Sequence, residues 1–78
     1  MAITFEPIRL DAPYGDSDAV LALRQGRLFA VLSRLGDLHG TLKGQWYVEA
    51  VFTFDVEGVG AVFPDLDAFE THVQQQLV

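Results

Sequence analysis

Seventy-eight residues, half of them apolar, with no cysteine and a formal net charge of −6, read as a single domain over residues 1–78 with one hydrophobic core, and they exclude a disulfide-built fold. The longest uncharged apolar run, Leu28 to Leu32, is far too short to cross a membrane. The acidic total argues against nucleic acid as a partner, because polyanion binders usually carry a basic stripe on a neutral or basic background.

The charge layout says more than the sum. Residues 1–23 set Arg9 against Glu6, Asp11, Asp16 and Asp18, residues 24–43 set Arg24, Arg27, Arg34 and Lys43 against Asp37, and Glu49 to Glu70 holds six acids and no base. The first residues, Met1-Ala-Ile-Thr-Phe-Glu6, lack a basic n-region and a long apolar stretch, so a cytoplasmic protein is expected.

In chain order, Ile3 to Leu10 reads as a strand whose apolar phase shifts at Pro7, which places it at a sheet edge. Whether it pairs within the chain or across a subunit boundary is open at this level. Asp11 to Asp18, with Pro13 and Gly15, reads as a loop. Next comes the strongest local signal, two apolar runs, Ala19–Arg24 and Arg27–Leu32, joined by Gln25-Gly26. A two-residue loop ending in glycine predicts a β-hairpin with a type I′ turn. An unbroken register from that turn sets Leu23 opposite Leu28, Leu21 opposite Ala30 and Ala19 opposite Leu32 on one face, with Ala22 against Phe29 and Val20 against Val31 on the other. Both faces are apolar, the pattern of strands covered on both sides.

Gly36 to Gly40 reads as a turn. Thr41 to Phe54 then alternates, with Leu42, Trp46, Val48, Ala50, Phe52 and Phe54 on one phase and Lys43, Gln45, Glu49 and Thr53 on the other. Asp55 to Gly60 is a second turn, and Ala61–Phe63 a short strand. Asp65 reads as the N-cap of a closing helix, with Pro64 just outside it and Asp67 and Glu70 in its first turn. Leu66, Phe69, Val73 and Leu77 form its apolar stripe, which is expected to dock on the Trp46, Val48, Ala50, Phe52 face. The sum is an α+β fold, a small antiparallel β-meander of three to five strands packed by one C-terminal helix.

Constellations that would carry chemistry are sparse. The paired acids Asp16/Asp18, Asp55/Glu57 and Asp65/Asp67 lack the twelve-residue spacing and distal glutamate of a calcium loop, and read as solubilising loop acids and a helix cap. His72 sits at the margin of the helix stripe without an orienting acid or a neighbouring nucleophile, so it reads as a packed boundary histidine. His39 sits in a glycine-bounded turn; the two imidazoles form no ligand-spaced cluster, so no structural zinc is expected. Neither Ser17 nor Ser33 lies in a Gly-x-Ser-x-Gly elbow, and Gly36, Gly40 and Gly44 form no phosphate-cradling pattern. Trp46 and Tyr47 near the bases resemble a stacking platform for single strands, but Trp46 is in phase with its strand's core residues.

Ala61-Val-Phe-Pro-Asp-Leu66, following antiparallel strands, resembles the Phe-Pro-Asp-Leu segment of HicB-type antitoxin domains. In that family a Pro-Gly turn follows, whereas Asp67-Ala-Phe69 here enters a helix at once; the likeness covers six residues.

The expected function is a non-enzymatic binding or regulatory module acting through protein–protein contacts, as a homodimer and without cofactors or metals. The contact surface expected is the hairpin face carrying Val20, Ala22, Phe29 and Val31, opposite the helix. One alternative is an acidic, antitoxin-like inhibitor that blocks a basic partner with Asp55, Glu57, Asp65, Asp67 and Glu70. Another is a small enzyme whose site assembles at a dimer interface, with His72 as the residue to watch.

Overall fold

Local pairing dominates the architecture, since each strand returns beside the one before it. The computed structural model describes residues 3–11 and 18–76. Strands β1 (Ile3–Arg9), β2 (Asp18–Arg24), β3 (Arg27–Arg34), β4 (Trp46–Val51) and β5 (Val62–Phe63) lie in sequence order in one antiparallel sheet, followed by helix α1 (Leu66–Gln76). This is the α+β meander that the alternation predicts. The element after Asp65 forms where expected: the Asp65 carboxylate accepts the Ala68 N–H at 2.8 Å, closing the first turn. Leu77, the last residue of the expected stripe, lies outside the described residues.

β1 pairs with β2 inside the chain, from Ile3 opposite Arg24 to Arg9 opposite Asp18. It is an edge strand, which tolerates the missing N–H of Pro7. Gln25 and Gly26 have φ of 54° and 74°, the two left-handed residues of the type I′ turn. Arg24 faces Arg27 and Leu23 faces Leu28, as the turn dictates.

Beyond that point the register departs from the unbroken one. Ala22 faces Ala30 and not Phe29, Leu21 faces Val31, Val20 faces Leu32 and Ala19 faces Ser33, so Phe29 is the extra residue of a β-bulge. A second bulge follows across β3 and β4, where Val31 faces Ala50 but Leu32 faces Val48, leaving Glu49 as the extra residue. A one-residue slip exchanges the faces of everything downstream. The bulges therefore turn Leu32 and Val48 toward the helix while Val31 and Ala50 face away.

β4 is shorter than the predicted strand from Thr41 to Phe54. Asp37–Leu42 winds into 3₁₀ turns kinked at Gly40, with φ 57°, and Gly44 follows at φ 85°; neither fits a strand. Leu35 and Gln45 close the connection, the Leu35 N–H donating to the Gln45 carbonyl at 2.8 Å. At the far end the Thr53 hydroxyl donates to Asp55 at 2.6 Å. That local bond turns the chain away from the sheet and leaves Phe54 wholly exposed.

The core lies between α1 and one sheet face. Phe69 and Val73 of the helix meet Val20, Ala22, Phe29, Ala30, Leu32 and Val48, all buried, with Phe5, Trp46 and Phe63 packed at the margin. Phe69 is the hub, stacked on Phe29 with centroids 6.3 Å apart and edge-on to Phe63 at 5.5 Å and Phe5 at 6.3 Å. Of the predicted docking face, Trp46 and Val48 take part; Ala50 lies beyond the second bulge and Phe52 is exposed.

Candidate functional site

The four residues expected to form a contact surface opposite the helix do not share a face. Val20, Ala22 and Phe29 are core residues beneath α1, at 6%, 0% and 3% exposure, and only Val31 lies on the opposite side. For Val20, Ala22 and Phe29 the expectation fails because α1 docks on the face they share; for Val31 it fails because it carried the turn's register straight through Phe29. The bulge keeps Phe29 inward against Phe69 and lets Ala30 face inward as well.

What faces away from the helix follows from the observed register. β1 contributes Thr4, Glu6 and Ile8; β2 Ala19, Leu21 and Leu23; β3 Leu28, Val31 and Ser33; β4 Tyr47, Glu49 and Ala50; β5 Val62. Leu21, Leu23, Val31, Ala50 and Val62 are half-buried and Leu28 is exposed. Among the described residues this outer face is thus a largely aliphatic floor with acids at Glu6 and Glu49 and no base. Ser33, buried in the middle of it, donates its hydroxyl to the Glu49 carboxylate at 2.8 Å. That bond satisfies the serine and draws the charge of the bulge residue across the sheet.

The sheet edges beside this face are poor pairing surfaces. β5 has only two residues, and β1 carries Pro7 and the exposed Glu6 at its centre. Short strands, proline and charge are the usual guards against edge-to-edge addition.

The five candidate surface acids are dispersed. Asp55 is tied to Arg24 by two contacts at 3.2 and 3.3 Å and to Thr53. The Thr53 and Arg24 hydrogen bonds hold its carboxyl below the usual carboxylate range. Asp65 caps α1, and Asp67 sits in its first turn. Glu57 lies at the other end of the helix, where its N–H donates to Gln76 Oε1 at 2.7 Å. An eleven-residue helix separates these ends, a span of about 16 Å, so the acids form no single patch.

His72 is a structural clamp in this geometry. Its Nε2 lies 2.8 Å from the Glu57 carbonyl oxygen and 2.9 Å from Gln76 Nε2. Gln76 Nε2 also donates to the Glu57 carbonyl oxygen at 3.4 Å. The ring packs on Phe63 at 5.2 Å. Together with buried Val56, these contacts lash residues 55–58 to the helix, as a packed boundary histidine would.

Asp16 and Ser17, part of the first acidic pair and its loop, lie outside the described residues. Among the described residues no helix is long and apolar enough to cross a membrane. Comparisons with protein-family models, curated proteins and solved structures find no match.

Proposed function

We propose that this chain is a non-enzymatic binding or regulatory module that acts through protein–protein contacts of the sheet's outer face, and that the contact is made by a second copy, as a homodimer. One observation carries the reading: the face opposite α1 presents Leu21, Leu23, Leu28, Val31, Ala50 and Val62 with no helix docked on it. A contiguous apolar patch of this kind marks an interaction surface.

Size supports a second copy as the occupant. Four long strands at about 4.8 Å spacing and about 23 Å length give a flat footprint of roughly 450 Å² per copy. Side-chain relief enlarges the accessible area, so two copies reach the roughly 1,000 Å² that a specific interface needs. Sheet-on-sheet packing also asks nothing of the guarded edges. The two layers of sheet would be flanked by the two helices.

Light scattering over a tenfold dilution series tests this. Twice the monomer mass is expected for the wild type, and the monomer mass for folded Val31→Asp and Leu21→Asp variants. A wild type that stays monomeric at about 100 μM, or variants that stay dimeric, would overturn it. Far-UV circular dichroism separates loss of association from loss of fold.

A further inference from the structure

On the helix side of the sheet, α1 leaves one end uncovered. Phe69 sits over Phe5 and Phe29; further along the strands, Pro7 faces Val20, and Arg34 faces Trp46. These residues line a groove of about 340 Å³, with the Arg9–Asp18 ion pair at 3.4 Å along one rim. That volume lies within the roughly 300–1,000 Å³ of small-molecule sites. The surface inside it is mainly apolar, from Pro7, Val20 and the half-buried indole of Trp46.

Arg34 is the polar group of interest. It makes no side-chain hydrogen bond or ion pair among the described residues, whereas Arg24, Lys43 and Arg9 each have a carboxylate. Among the described residues lining the groove the formal charges are those of Arg9, Arg34 and Asp18, a sum of one positive charge on an acidic protein. A guanidinium offers a planar fork that matches carboxylate or phosphate oxygens two at a time. The indole beside it offers a flat apolar wall.

We propose that this groove binds a small amphipathic anion, its apolar body on Trp46, Val20 and Pro7 and its carboxylate or phosphate-monoester head on Arg34. The site lies on the opposite side of the sheet from the proposed dimer surface, so the two proposals stand or fall separately.

Trp46 is the only tryptophan, which makes it a built-in reporter. Its fluorescence, excited at 295 nm, is followed during titration with 4-phenylbutyrate, with phenethyl phosphate and with the uncharged 4-phenylbutanamide. Saturable change is expected with at least one anion, about tenfold or more tighter than with the amide, as loss of a charge-assisted hydrogen bond implies. The preferred anion identifies the head group. Arg34→Gln, an exposed change, is expected to bring anion affinity down to that of the amide, while Arg27→Gln at the distant hairpin end leaves it unchanged. No saturable response to either anion at 10 mM would overturn the proposal. So would equal binding of the amide to the wild type, a comparison that needs no variant to fold.

Discussion

At the scale of single residues, the side chains that hold the chain's turns act over short sequence distances and give measurable effects. Asp65 accepts the Ala68 N–H three residues on, so Asp65→Ala is expected to cost about 1 kcal/mol, lowering the melting temperature by about 4–8 °C, as read by thermal circular dichroism. Asp55 has its ionised form favoured by Thr53 and Arg24. A carboxyl held low in the folded state contributes stability that is present above its unfolded value of about 3.9 and is lost as pH falls through the lowered folded value. Urea midpoints of wild type and Asp55→Asn are therefore expected to differ at pH 7 and to converge in acid; a gap that widens on acidification would contradict the assignment. Both sites were legible in the sequence as a cap and an acidic turn. The partner of Asp55 was not, because Arg24 lies thirty-one residues away.

At the scale of elements, the hairpin is the instructive case. Gln25-Gly26 predicts its own turn and the first two pairs, since positive φ at two successive residues is a local demand. The bulge at Phe29 answers to a different force. An unbroken ladder would keep Phe29 beside Ala22 beneath the helix but turn Ala30 and Leu32 away from it, while the bulge places both Phe29 and Leu32 beneath the helix, at 3% and 0% exposure. Burial of the leucine beside the aromatic outweighs the local disruption of one ladder step. The register can be tested by contrast. Phe29→Ala is expected to cost about 3–5 kcal/mol, a large share of the roughly 5–15 kcal/mol that holds a domain folded, whereas Val31→Ala on the outer face is expected to cost well under half as much in the same denaturant titration. Equal costs would favour the unbroken register. The 3₁₀ segment shows the same division: Gly40 and Gly44 were visible as turn residues, but their role in shortening β4 appears only once both are seen at positive φ.

At the scale of the whole molecule, one helix faces one sheet and a sheet has two faces. Helix α1 covers Phe5, Phe29 and Phe63 through Phe69 and does not reach the outer aliphatic face or the Arg34–Trp46 end. Neither surface could be composed from the sequence. The outer face draws its residues from all five strands after two register slips, and the groove joins Pro7 to Trp46 across three intervening pairings. The sequence by itself determined the meander, the helix and its cap, the type I′ turn and the fact that the hairpin is apolar on both faces, because each rests on propensity, periodicity or a contact a few residues long. Only the tertiary structure decided which apolar face is core. That choice depends on packing between Phe29 and a helix forty residues further on, a long-range term to which a local pattern is blind.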